Sequence, residues 1–409
     1  MIKKDRMFYK FSLYGFLKNL RFFDPFIILF FREMGFSFFE IGSLFAIRDI
    51  STNVLEIPTG IYADAFGRRR SMLMSFGSYI VSFVMFYLFP HFYAYALAMV
   101  FFALGEAFRT GTHKALILEY LRLNDMSDRK VEYYGSTRAA SQLGSAVSSL
   151  IAAALVFYSG SYRYIFIVSV IPYVLNLINL ATYPKELDGV LVRVEKGLVV
   201  KQIRTTLREF IGIFRNLGAM KAILNSSTFS AFFKATKEYL QPVVKSFALS
   251  LPLFVAFSGV KRSAIVIGVV YFIIYLLTSY ASKNSSRFAD RFKDIVGAIN
   301  FTYVVGAFLL VGAGIFMYLH MQIVSVIFFL LFYVLHNIRR PLNVAFISDR
   351  VSHKTMASGL SVESQLTTVV MAILSPLIGA LADAFGVGLA LFIFGGAMTS
   401  LSFLLRVKG

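Results

Sequence analysis

Apolar runs longer than the roughly 18 residues that mark a membrane-spanning helix recur along this chain at near-regular spacing. No other feature restricts the possible folds as much. We count twelve, at approximately 8–31, 38–61, 71–91, 93–121, 134–158 and 162–182, then 219–248, 264–284, 295–318, 321–342, 355–382 and 384–406. They are called spans one to twelve below. With 57% of its 409 residues hydrophobic and only 15% charged, the chain carries far more apolar side chain than a soluble globule of this size needs. The expected fold class is an all-α integral membrane protein. No cleavable signal is evident ahead of the first span.

A net charge of +19 would suggest nucleic acid in a soluble protein, so the location of that charge decides its meaning. Base clusters in alternate loops: Lys3, Lys4 and Arg6 before span one, Arg68 to Arg70 after span two, Arg122, Arg129 and Lys130 after span four, Lys283, Arg287 and Arg291 after span eight. Arg339, Arg340, Arg350 and Lys354 lie near and after the end of span ten, and Arg406 and Lys408 close the chain. Arg32, Arg163, Lys261 and Arg262 are exceptions in the intervening loops. Excess base stays on the cytoplasmic side, so both termini are expected inside, in a multi-pass protein of the cell (inner) membrane. Nucleic acid is not expected as a partner. The absence of cysteine removes disulfides, thiolate nucleophiles and Cys-ligated metals, and the five histidines form no ligand pattern. No enzyme signature, metal site or cofactor is expected.

One long hydrophilic segment, 185–218, divides the chain into an N-terminal bundle, 1–184, and a C-terminal bundle, 219–409. In it Val200, Ile203, Leu207, Phe210, Phe214 and Leu217 recur at helical spacing, while Lys201, Arg204, Arg208 and Arg215 avoid that stripe. That pattern suits a helix lying on an anionic leaflet, and a plain amphipathic tether is the simpler account. The halves align as repeats. Asp24-Pro25 answers Gln241-Pro242. The stretch Gly60 to Gly67 answers Ser286 to Lys293, which keeps Ala-Asp and a phenylalanine but loses both glycines. Phe108 to Glu119 answers Ile338 to Asp349, with arginine, alanine, isoleucine and the final acid coinciding. Gly379 to Gly386 matches Gly60 to Gly67 better by eye, but it follows span eleven, where the chain is expected outside, and no arginine run follows it. Chance similarity between two Gly-rich turns is the reading adopted for it.

The charged turn Gly60-Ile-Tyr-Ala-Asp64-Ala-Phe-Gly67-Arg68-Arg69-Arg70 reads either as a basic anchor or as a gate. Its glycines permit a tight turn, Asp64 can accept from free backbone N–H groups at a nearby helix start, and the arginines hold it at a lipid-facing surface. Six plus six spans, a basic central linker and this turn resemble the major facilitator superfamily across essentially the whole chain. Gly60, Ala63, Asp64, Gly67, Arg68 and Arg69 fit that family's signature after helix two, while Tyr62 and Ala65 depart from it. The resemblance implies twelve helices in two pseudo-symmetric six-helix bundles. It also implies a cytoplasmic latch in which the aspartate faces the start of helix eleven and the basic residues face an acid at the end of helix four, where Glu119 stands. The gate is therefore expected at Gly60, Asp64, Gly67, Arg68, Arg69 and Glu119. In span five, Gly135 and Gly144 followed by Ser148, Ser149, Ala152 and Ala153 keep the skeleton of the drug/proton antiporter branch without its proline. Small residues at this spacing equally serve close helix packing.

Ionisable groups in mid-span cost several kcal/mol unless paired or facing water, which makes them the default candidates for a transport path. In span one Lys18, Arg21 and Asp24 are three apart and share a face, and Pro25 can loosen the backbone beside them. Asp49 and Glu56 share a face of span two. Glu106, Arg109 and His113 repeat the pattern in span four, Lys234, Lys237, Glu238 and Gln241 share a face of span seven, and Glu363 interrupts span eleven. A buried carboxylate is harder to ionise when desolvated and easier beside a cation, so a conformational change can load or release a proton there. Asp24, Glu238, Asp49, Glu56 and Glu363 are the expected proton-coupling residues. Arg21, Glu106, Arg109, Lys234, Lys237, Gln241 and Arg339 are the expected substrate-binding ones. Structural neutralisation, as for Glu106 with Arg109, is the alternative account.

The expected function is secondary active transport of a small organic solute by alternating access, as proton-coupled export of the multidrug-efflux kind, by a monomer in the lipid bilayer. Proton-coupled uptake of an anionic solute is the alternative within transport, suggested by Arg21, Arg109, Lys234, Lys237 and Arg339. A non-transporting receptor or scaffold on the same fold, or a channel, would leave the charged turns of both halves unexplained.

Overall fold

The computed structural model describes residues 4–189, 191, 197, 202, 204, 205, 208, 217–350 and 356–407. Val200, Ile203, Leu207, Phe210 and Phe214, the core of the expected linker stripe, lie outside the described residues. Each apolar run within them folds into one helix or two. Span one is Arg6–Lys18 and Ile27–Glu33, span two Phe38–Phe66, span three Arg68–Leu88, and span four Phe92–Arg109 with Thr112–Leu123. Spans five and six are Lys130–Ser159 and Tyr164–Ala181, and span seven is Leu217–Thr236 with Leu240–Ser250. Spans eight to ten are Gly259–Lys283, Ile295–Tyr318 and Gln322–Arg350. Spans eleven and twelve run together as Met356–Leu404, bent at Gly386, whose φ of 82° admits few residues but glycine.

Among the described residues, eight helices are long and apolar enough to cross a membrane. Spans one, two and seven fall outside that set because they are broken or carry charge. The break in span one, residues 19–26, surrounds Pro25, which lacks an N–H and cannot continue the helix ladder. Local turns satisfy part of the freed backbone: the N–H of Asp24 donates to the Arg21 carbonyl at 3.1 Å and that of Phe26 to Phe23 at 3.0 Å. Phe23 anchors the turn by stacking on Phe166 of span six at 5.4 Å.

The chain separates into two compact units, one of Met1–Phe26 with Ile47–Ile203 and the other of Ile27–Ala46 with Arg204–Gly409. In the first, the Arg6–Lys18 helix packs on spans five and six, and span three packs on spans four and six. Hydroxyls of span three sew it to span four, with Ser71, Ser75 and Ser82 donating to the carbonyls of Phe108, Gly105 and Ala98. In the second, span seven packs on the element formed by spans eleven and twelve, span nine on that element and on span ten, and span eight on span ten. Each unit thus repeats one packing plan.

Residues 27–46 join the second unit through helix caps supplied from elsewhere in the chain. The N–H of Ile28, in the first turn of its helix, donates to Gln241 Oε1 at 2.8 Å. Asp383 accepts from the N–H groups of Phe38 and Phe39 at 2.9 and 2.8 Å, while Arg32 lies 4.0 Å from its carboxylate. A Cβ on Gly379 would stand 2.2 Å from the Phe38 carbonyl oxygen, and one on Gly42 would stand 2.1 Å from that of Ser375. The Gly379 to Gly386 turn, taken in the sequence for a chance resemblance, therefore does what was expected of Gly60 to Gly67: its aspartate caps a helix start.

Candidate transport sites

In the first unit, the sequence-predicted residues of spans one and four meet. Glu106 holds two guanidinium groups, accepting from Arg21 Nη2 on one oxygen and from Arg109 Nη2 on the other. Tyrosines orient both bases. Arg21 Nε donates to the Tyr173 hydroxyl at 3.1 Å and Arg109 Nε to that of Tyr79 at 3.2 Å, and Tyr173 donates in turn to the Lys18 carbonyl at 3.1 Å. The Arg21 guanidinium also lies over Phe102, 5.5 Å from the ring centroid. Arg21 owes its position to the break in span one, and Gly105 leaves room for Tyr79, whose ring a Cβ would meet at 2.9 Å. Asp24 sits half-buried in the same broken segment. Below the cluster His113 stacks flat on Tyr14 at 3.5 Å. Tyr79 and Tyr173 escaped the sequence reading, which searched for charge; the stripe Ser71, Ser75, Ser82 marks the buried face of span three and was the available signal.

The second unit contains a cavity of about 420 Å³ between spans seven, ten and eleven, with Lys234, His336, Arg339, Arg340, Asn343 and Glu363 in its wall. Arg339 is wholly buried beneath it, donating to the carbonyl of Ile299, to Thr302 Oγ1 at 2.7 Å and to Asn225 Oδ1. The Glu363 carboxylate accepts from the Ser226 hydroxyl at 3.0 Å, while the Thr367 hydroxyl donates to the Glu363 carbonyl at 2.8 Å. His336 stacks on Phe233 at 3.7 Å. Asn225 was missed in the sequence, although it lies on the same helix as Lys234.

Other predicted residues fall outside these two clusters. Glu238 binds its neighbour Lys237 at 2.6 Å and accepts from Gln241 Nε2 at 2.8 Å, so this group serves the cap on Ile28. Asp49 pairs with adjacent Arg48 at 2.9 Å. Glu56 is exposed, with no ion pair among the described residues.

At the charged turn, Gly67 begins span three with φ 101°, and a Cβ there would meet Asp188 at 2.7 Å. Asp188 Oδ1 accepts from the Arg69 N–H at 2.7 Å, and Arg69 Nη1 donates to the Tyr183 carbonyl at 3.0 Å. Arg68 Nη1 reaches Glu119 at 4.0 Å, although Arg122 holds that acid more closely, at 2.6 Å. Asp64 and Gly60 are exposed, and Asp64 makes no hydrogen bond among the described residues. The helix start next to the turn is capped by Asp188 in its place.

Comparison with solved structures gives the same architecture. A mutant of the nucleoside transporter NupG superposes with a TM-score of 0.79 at 15% identity, over 98% of this chain and 99% of that one. The peptide transporter POT in complex with sulfate superposes at 0.73 and 14% identity, over 97% and 93%. At these identities the likeness is one of fold. An uncharacterized MFS-type transporter, YxaM of Bacillus subtilis (strain 168), is 30% identical over 107 residues; the match covers 26% of this chain and only about a quarter, 26%, of that protein. The family profile described as Major Facilitator Superfamily matches residues 13–364. With helical repeats of one packing plan, charged clusters inside their spans and a profile match over most of its length, the chain is a multi-pass membrane protein that belongs to the Major Facilitator Superfamily.

Proposed function

We propose that the chain is a proton-coupled secondary transporter of a small organic anion, working by alternating access between its two bundles. One observation carries the reading: among the described residues, basic side chains outnumber acidic ones in each of the two charged clusters. Lys18, Arg21 and Arg109 outnumber Glu106 and Asp24 in the first, and Lys234, Arg339 and Arg340 outnumber Glu363 in the second. Charges of one sign inside a membrane-embedded unit select a solute of the other sign. Drug export drew part of its sequence support from the small residues of span five. Gly144 has a packing duty there, since a Cβ on it would stand 2.5 Å from the Phe16 carbonyl oxygen, and Gly15 meets Ser141 in the same way.

In the proposed cycle, Asp24 and Glu106 exchange protons as the first unit's cluster opens, which frees Arg21 and Arg109 for the solute. The Gly60 to Arg70 turn gates the cytoplasmic side. The test uses purified protein in proteoliposomes under an imposed pH gradient. Organic anions should enter faster when the lumen is alkaline, and Asp24→Asn should remove that dependence. Expulsion of cationic or neutral drugs against proton entry, with anions inert, would overturn the anion reading and restore export.

A further inference from the structure

Two turns of this chain share both sequence and shape. Gly379-Ala-Leu-Ala-Asp383-Ala-Phe-Gly386 agrees with Gly60-Ile-Tyr-Ala-Asp64-Ala-Phe-Gly67 at six of eight positions. Their closing glycines also adopt one backbone conformation, φ 101° and ψ 140° at Gly67 against φ 82° and ψ 162° at Gly386, where a side chain would be strained. The two turns serve opposite ends of one helix: turn 60–67 closes Phe38–Phe66, and turn 379–386 meets its start.

That start is capped from two sources. Ser37 Oγ accepts from the Glu40 N–H at 3.1 Å and Glu40 Oε2 from the Ser37 N–H at 2.8 Å, a reciprocal cap made by the segment itself. It leaves the N–H groups of Phe38 and Phe39, and these are the two that Asp383 takes. Asp383 can therefore depart without unravelling the helix, since the local cap stays and water reaches the other two donors at this exposed end. Arg32 completes the clasp, 4.0 Å from the carboxylate and 4.6 Å from the centre of the Phe38 ring. Behind it Gly42 and Gly379 let the two backbones touch.

Burial divides the helix in the same way. Ile41, Gly42, Leu44, Phe45 and Ala46 are buried among the nine residues 38–46, but only Thr59 and Ala63 among the twenty residues 47–66. At the far end Asp64 is exposed, and a Cβ on Gly60 would meet nothing within 4 Å. One end is clasped and the other is free.

We propose that turn 379–386 is a second latch, which holds span two at the end poor in base and lets go when turn 60–67 engages at the other end. This inference rests on the alternating-access reading, though not on the charge of the cargo. Asp383 and Asp64 are counterparts, one bound while the other is free, and each conformation of the cycle keeps one of them.

Thiol reactivity of the full-length protein in detergent tests this without any solute, because the chain has no cysteine of its own. Gly60→Cys, where a side chain has open space, and Phe66→Cys, at a position 49% exposed, each report with N-ethylmaleimide how often turn 60–67 is free. Gly379→Leu cannot fit against the Phe38 carbonyl, so it excludes the clasped state and should slow labelling about fivefold or more. Asp383→Asn and Arg32→Gln weaken the clasp and should each slow it about twofold. Adding Asp64→Asn to Asp383→Asn should return the rate towards that of the parent. If Gly379→Leu does not fold, Asp383→Asn decides the matter. Unchanged or faster labelling of both reporters in Asp383→Asn would make Asp383 a static helix cap and overturn the latch, while the flux experiment with organic anions would still judge the transport reading by itself.

Discussion

Glu106 carries two arginines, and removing it exposes what a single acid does inside a membrane. Gln has the same size but leaves Arg21 and Arg109 without the counter-charge they share. Breaking a buried pair by deleting one partner costs about 3–5 kcal/mol, far more than an exposed pair is worth. Glu106→Gln should therefore lower the melting temperature in detergent and abolish flux, whereas Tyr79→Phe, which removes only the hydroxyl that orients Arg109, should cost about 1 kcal/mol. At the charged turn the same logic separates two aspartates. Asp188→Ala deletes the cap on the Arg69 N–H and should cost about 1 kcal/mol, read by thermal unfolding. Asp64→Asn alters an exposed side chain without a partner among the described residues, and should leave the melting temperature unchanged.

At the scale of elements, broken helices borrow their caps from distant parts of the chain. Gln241→Leu keeps bulk at a fully buried position but strands the Ile28 N–H, and Asp383→Leu strands those of Phe38 and Phe39. The unsatisfied buried donor of Ile28 costs about 1–3 kcal/mol, whereas Phe38 and Phe39 lie in an exposed cap whose loss costs about 1 kcal/mol, so both variants should be less stable than the parent, measured by thermal unfolding, with Asp383→Leu showing faster amide exchange at residues 38–40. These contacts also show what could be read in advance. The twelve apolar runs were legible because length and hydropathy are local properties, and Pro25 announced the break in span one. Arg21, Glu106 and Arg109 were legible as candidates because charge in a span is rare. Their tyrosine partners were not, since a tyrosine in an aromatic-rich span looks like ordinary core. Asp383 misled for a different reason: its 345-residue separation from Phe38 hides the cap from any reading of periodicity. Glu238 and Gln241 looked like cavity residues, yet their nearest duty is to a helix start.

The whole molecule is connected in a way that bears on transport. Residues 27–46 pack with the second unit although they lie between two stretches of the first, so the chain passes from one unit to the other at 26/27, 46/47 and 203/204. Any movement between bundles must be absorbed at those points, and the first already has non-helical backbone, with Pro25 beside it. The orientation expected from base in the loops is directly testable, because the chain has no cysteine. His91→Cys and Val255→Cys, at exposed loop positions on the side poor in base, should react with a membrane-impermeant maleimide on intact cells. Asp125→Cys and Ser286→Cys, in base-rich loops, should react only after lysis; the reverse pattern would invert the topology. With the orientation fixed, the role of the Gly60 to Arg70 turn becomes a question of rate. An exposed aspartate that adds nothing to the stability of this conformation can act only through another one, by holding it when formed. Asp64→Asn should then slow transport severalfold while leaving the affinity for a stabilising anion within twofold of the parent. Equal loss of binding and transport in a normally folded protein would assign Asp64 to the substrate site and remove it from the gate.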